Sequence, residues 1–188
     1  FMTDDDVNCS IALWRYYKSP VMAAELQDVV PIWASCLAQS GLHFAKAPRS
    51  DTELNGLKMR VAGKVPSQIV ERMGGTPVSM TAESIYEALQ RGTIDGMVTS
   101  WAAFEPYKFQ EVAFYHVEVP IGSNPSMFMM SRKKYESLPP AARKALDDNS
   151  GEAIVREAAK HFSAQAARAR AAVAQLPNHK IVTPPPAQ

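Results

Sequence analysis

The stretch "LNGLKMRVAGKVPSQIVERMGGTPVSM", Leu54–Met80, decides the fold. "LKMRV" reads as a strand. "PSQIVERMGG" reads as a short helix, with Pro66 near its start and the Gly74–Gly75 pair closing it. "TPVSM" is the next strand. "TAESIYEALQRG" follows as a helix, with Thr81 at the N-cap, Arg91 in the last turn and Gly92 just past the end. Its apolar Ile85, Ala88 and Leu89 fall at i, i+3 and i+4. "IDGMVTSW" is a third strand. Such a β-α-β-α-β run implies parallel strands joined by right-handed crossovers. One residue breaks the pattern. Arg60 places a guanidinium near the tip of a strand that otherwise reads as core, with Lys58 on the same face.

Outward from this run the signals weaken. "TDDDVNCSIALWRYYKSP" opens on a Thr/Asp cluster suited to capping a helix that Pro20 ends. "VMAAELQDVVPIW" reads as a second short helix, "IWASCLA" as a strand, and "HFAKAPRSDTELNG" as a connection in which Ser50 caps one turn. "AAFEPYKFQEV" reads as a helix made irregular by Pro106, and "YHVEVPI" as a strand. "MFMMS" is almost wholly apolar and reads as a strand buried on both faces. After the helix "RKKYESL", the residues from Pro139 to Gln175 read as one very long helix, with "DDNSGEAI" as the place for a kink, since Gly151 costs only ~1 kcal/mol in a helix interior. "HKIVTPPP" gives a last strand and a proline stop.

Composition narrows the function classes. The 188 residues are 46% hydrophobic and carry a formal net charge of +1, which gives no electrostatic case for nucleic acid. No apolar run approaches the ~18 residues of a membrane-spanning helix. The chain starts at Phe1 without a basic-then-apolar leader, so an exported protein would already have lost its signal. Cys9 and Cys36 form no CxxC pair and read first as buried small hydrophobes; a disulfide is open to them only in an oxidising compartment. The four histidines are scattered, with no HExxH.

Ligands of open parallel sheets bind at the carboxyl ends of the strands. Here those ends carry Arg60, Met80–Thr81, and Thr99, Ser100 and Trp101. A rigid bidentate fork, several hydroxyls and a flat aromatic wall make the chemistry of a carboxylate site. The competing reading is a surface arginine paired with a nearby glutamate and a core tryptophan.

The segment from "ELNGLKMRV" through "GGTPVSM", "YEALQRGTIDG" and "TSW", continued by "YESLPPAARKALDDNSG", resembles the solute-binding proteins of tripartite ATP-independent periplasmic (TRAP) transporters, the DctP-like family. The resemblance implies an α/β fold of the periplasmic-binding-protein type, with two lobes, a parallel β-α-β core and a long spanning helix. It implies a periplasmic protein that captures a small organic acid and delivers it to the membrane permease subunits, with no catalysis and no cofactor. Arg60 matches the arginine that pairs with the ligand carboxylate. Thr99, Ser100 and Trp101 match pocket-lining positions, and Asn124 a polar residue facing the cleft. Where some members carry a second arginine, this chain has "SCLAQSGLHF", and Gln39 or Ser40 offers a neutral hydrogen bond instead. Ser100 replaces the carboxylate used by members that bind a metal, so no metal is expected.

By the same resemblance, residues 1–37 and 127–170 form a partial first lobe, and residues 38–126 and 171–188 a second lobe carrying the arginine. Such a chain is expected to be a fragment with exposed sheet edge, able to dimerise through the incomplete lobe. The alternative is a truncated interaction or assembly fragment that no longer binds solute, using "AAKHFSAQAARARAAVAQL" as an interface helix. An enzyme has little support, since GxSxG, Walker and GxGxxG motifs are all absent from the sequence.

Overall fold

The computed structural model describes residues 5–119 and 121–184. Thr3 and Asp4 of the expected capping cluster, and the tail from residue 185, lie outside them. The elements in chain order are α1 (Asp6–Tyr17), β1 (Val29–Cys36), β2 (Ser40–Phe44), β3 (Lys58–Val61), α2 (Lys64–Arg72), β4 (Thr76–Ser79), α3 (Ile85–Gln90), β5 (Gly96–Ser100), α4 (Phe104–Tyr107), β6 (Tyr115–Val117), β7 (Pro125–Ser131), α5 (Arg132–Glu136), α6 (Pro140–Asp148), α7 (Glu152–Ala174) and β8 (Lys180–Val182). They divide into two compact units. One takes the chain up to Ala38 with Ser123–Ala164; the other takes Gln39–Gly122 with the chain from Gln165.

In the first unit β1 pairs with β7 antiparallel, from Val29 opposite Ser131 to Cys36 opposite Pro125. The register breaks between Pro31 and Trp33, where proline has no N–H to give the ladder. The side chain of Asp5 caps α1 by accepting the Asn8 N–H at 2.8 Å. Cys9, Leu13 and Trp14 form the buried stripe of α1 and pack with Ala34, Cys36 and Val155. The reading of the cysteines as separate small hydrophobes is corrected: Cys9 and Cys36 form a disulfide, with Cα atoms 5.8 Å apart. Beside it the Cys36 N–H donates to Ser10 Oγ at 2.8 Å.

Three local expectations fail in this unit. The helix expected over "VMAAELQDVVPIW" is only a 3₁₀ turn at Pro20–Met22, because the β-branched Val29 and Val30 join β1. Arg132 holds that entry to β1 by donating to the carbonyls of Gln27 and Val29. The "MFMMS" strand is not buried on both faces: Phe128 is 53% exposed and Met129 42%. Among the described residues β7 has a single strand neighbour, and Phe128 is covered on one side by stacking on Trp33. Finally, the long helix is not merely kinked at "DDNSGEAI" but broken there. Gly151 adopts φ +92°, a left-handed conformation that ends α6 and lets α7 start afresh.

The second unit is a six-stranded sheet in the order β4-β3-β5-β2-β6-β8. The β4-β3-β5 part is parallel, as the run of alternating strands and helices implies. β2 enters antiparallel to both β5 and β6, and β8 closes the edge parallel to β6. Gly96 permits the close approach of β2 to β5: a Cβ there would lie 2.7 Å from the His43 carbonyl oxygen. One sheet face is apolar, with Leu42, Phe44, Met59, Val61, Val98 and Val117 packed on Val70 of α2 and on Leu54. The mixed α/β architecture is the one the resemblance implies.

Candidate functional site

Strand pairing fixes what stands on the opposite face, because residues paired across a ladder point to the same side. Arg60 pairs with Val78 and Met97, Met97 with His43, and His43 with His116. Thr99 lies two residues beyond Met97 on the same side. This face therefore carries a cation, a hydroxyl and two imidazoles, while Met59 and Val61 point into the apolar core.

Arg60 is 8% exposed. Its Nε–H donates to the Met80 carbonyl at 3.1 Å, at the carboxyl end of the adjacent β4. Among the described residues no carboxylate forms an ion pair with it. Burial pushes the guanidinium pKa down from its ordinary value, and nearby Tyr107 and Glu83 oppose that shift. Arginine nevertheless stays charged. The competing reading, a surface arginine paired with a glutamate, is thus not what the structure has. The guanidinium is a desolvated cation whose one hydrogen bond among the described residues is made by Nε. Tyr107 escaped the sequence reading, its irregular "FEPYKF" context giving no periodic signal.

Thr99 and Ser100 are buried at the end of β5. Trp101 is buried as well, and its ring packs on His43, Phe104 and His116 with centroids 4.6–4.8 Å away. Its indole N–H donates to Glu118 Oε1 at 3.1 Å. Gln39 Oε1 accepts the Gly122 N–H at 3.1 Å, joining the two ends of the Gln39–Gly122 segment. These residues share one unit with Arg60. Asn124 belongs to the first unit, where its carbonyl accepts the Leu37 N–H at 3.0 Å. Among the described residues, Ser123 Oγ is a buried polar atom without a hydrogen-bond partner. No cluster of three or more His, Cys, Asp or Glu side chains among them could hold a metal ion.

Three of the four scattered histidines, His43, His116 and His179, prove to be neighbours. His43 Nε2 lies 3.1 Å from the Thr99 carbonyl, which can only accept, so His43 carries its proton on Nε2. Its Nδ1 then accepts from His116 Nδ1 at 3.0 Å, and His116 Nε2 accepts from His179 Nδ1 at 3.1 Å. In this order His43 and His116 are both neutral, and His179, whose pKa burial lowers, also faces the Gln110 backbone. Burial holds the His43 pKa down at about 4, against upward pulls from the Thr99 carbonyl and the Glu118 charge. His116 is held at about 2 by burial and by the two flanking imidazoles.

Stability follows with a definite sign. Both pKa values lie below the ordinary 6.5, so the unfolded chain takes up protons first as pH falls. Stability is full above pH 6.5 and declines below it. For His43 alone the expected loss by about pH 5 is roughly 2 kcal/mol, with His116 acting in the same direction. Thermal unfolding at about pH 7.5 and pH 5, above the range where carboxylates titrate, measures it. An unchanged Tm would contradict a buried neutral chain.

Comparison with known proteins gives the family and the fold. The bacterial extracellular solute-binding protein family 7 pattern, DctP, matches residues 43–188. A solute-binding protein of Chromohalobacter salexigens is 25% identical over 137 residues, covering 72% of this chain and 41% of that protein. A marine metagenome TRAP solute-binding protein specific for aromatic acid ligands, solved with metahydroxyphenylacetate, superposes with a TM-score of 0.86 at 31% identity. A TRAP solute-binding protein of Rhodoferax ferrireducens with copurified benzoate gives 0.86 at 26%. Each of these two structures is matched over 97% of this chain and 58% of its own length. This chain therefore spans 41% of that curated relative and 58% of each of the two structures, and it belongs to the DctP family of bacterial extracellular solute-binding proteins.

Proposed function

We propose that this protein captures a small organic acid in the periplasm, gripping its carboxylate with Arg60, and delivers it to the permease subunits of a TRAP transporter. The observation that carries this reading is Arg60 itself: buried, anchored at Nε to Met80, and without an ion-pair partner among the described residues. Thr99 and Ser100 add hydroxyls, Trp101 an apolar wall, and Gln39 a neutral polar contact. A single guanidinium suits a monocarboxylate. An aromatic one is favoured by the two similar proteins, which hold metahydroxyphenylacetate and benzoate. Binding without chemistry is the family's role, and the Cys9–Cys36 disulfide suits an oxidising periplasm.

A thermal-shift screen of small mono- and dicarboxylates tests the reading. A rise of several degrees with aromatic monocarboxylates, lost in Arg60→Ala, is the expected result. No shift with any acid would overturn it. A second reading, self-association, has its own observation in the exposed Phe128 and Met129 of β7. Light scattering that reports a monomer would remove it.

A further inference from the structure

Glu118 has no role in the site described so far, yet it gathers more of the second unit than any residue in that site. Its Oε1 accepts the Trp101 indole N–H at 3.1 Å and Arg170 Nε–H at 2.6 Å. Its Oε2 accepts Arg170 Nη2–H at 2.8 Å and the Thr183 hydroxyl at 3.1 Å. Four separate parts of the chain meet on one carboxylate: the end of β5, the residue after β6, the second half of α7 and the residue after β8.

We propose that Glu118 is a positioning residue for carboxylate binding: it fixes the Trp101 indole, and through it the Thr99–Trp101 end of β5 beside Arg60. The proposal rests on the reading of that strand end as part of the carboxylate site. Trp101 has one hydrogen-bonding atom, and Glu118 takes it. The rest of the ring is held by packing on His43, Phe104 and His116, which does not fix its rotation by itself. Arg170 and Thr183 saturate the remaining lone pairs, so Glu118 cannot swing to another partner. Arg170 is also the first cause of the lowered Glu118 pKa, which keeps it an acceptor at neutral pH. The groups around it are neutral or cationic: His43 on β2, His116 on β6, and Arg170 on α7.

A double-mutant cycle read by benzoate titration tests this. Trp101→Phe removes the N–H, and Glu118→Ala removes its acceptor. Each is expected to weaken benzoate binding roughly tenfold, and the double variant no more than either alone. Glu118→Gln, which keeps an acceptor for the indole, should restore most of the affinity. If Trp101→Phe leaves affinity unchanged, the indole N–H fixes nothing that binding needs and the positioning role is overturned, while the aromatic wall, which phenylalanine keeps, stands. If it weakens binding while Glu118→Ala does not, or if the two losses add in full, the positioning role is overturned and the site stands. Should Glu118→Ala fail to fold, the unaltered protein still answers. Its Trp101 indole N–H should resist hydrogen exchange and shift when benzoate is added; fast exchange would overturn the proposal.

Discussion

Arg60→Ala is expected to abolish carboxylate binding, with a loss of at least about 100-fold, or about 3 kcal/mol, while leaving the fold as stable as before. The two halves of that result have one cause. Arg60 is 8% exposed and has no ion-pair partner among the described residues, so the folded protein holds a charge that water no longer solvates fully. A bound carboxylate would relieve that cost; alanine would remove it. The single hydrogen bond to Met80 is what alanine gives up in the free protein. Arg60→Met keeps the apolar stem and should be as stable as the parent or more so. Arg60→Lys keeps the charge but not the fork, and should bind weakly. Calorimetric titration and thermal unfolding of these variants measure both halves. A large drop in stability with Arg60→Met would mean that the guanidinium serves the fold and not a ligand.

Loss of the Cys9–Cys36 disulfide is expected to destabilise the first unit by roughly 3.5 kcal/mol, from the entropy of a closed loop of this length. The bond ties α1 to the last residue of β1, and both cysteines are buried. Among the described residues the unit's sheet is two-stranded, and part of β7 is uncovered, so its sheet adds little long-range constraint. The Arg15–Glu152 pair on its surface adds little, since its groups are solvent-exposed. Denaturant unfolding before and after reduction, or of the Cys9→Ser/Cys36→Ser double variant, gives the number. Equal midpoints would contradict the assignment, as would two titratable thiols in the oxidised protein.

Local chemistry made the β3-to-β5 run legible. Its helices are bounded by proline and glycine, its strands are short and apolar, and Arg60 stood out because nothing local explained it. The features that escaped depend on pairing across long separations. His43, His116 and His179 meet only because β2 lies against β6 and the turn before β8 returns to it. A trace of that arrangement was present in "YHVEV". Its valines alternate toward the apolar core, so His116 and Glu118 had to share the other face of a buried strand. Gly151 read as a kink and not as a break, because glycine is tolerated in helices, and only its left-handed conformation separates α6 from α7. The exposure of β7 escaped because an apolar run does not say how many neighbours cover it.

The measurement to make first is a pair of calorimetric titrations of this chain, one with benzoate and one with benzamide. The two have nearly the same shape, and only benzoate offers a charge to the Arg60 fork. Benzoate is expected to bind and benzamide to bind at least about 100-fold more weakly. Equal affinity for the two, or no affinity for either, would contradict a carboxylate site built on Arg60.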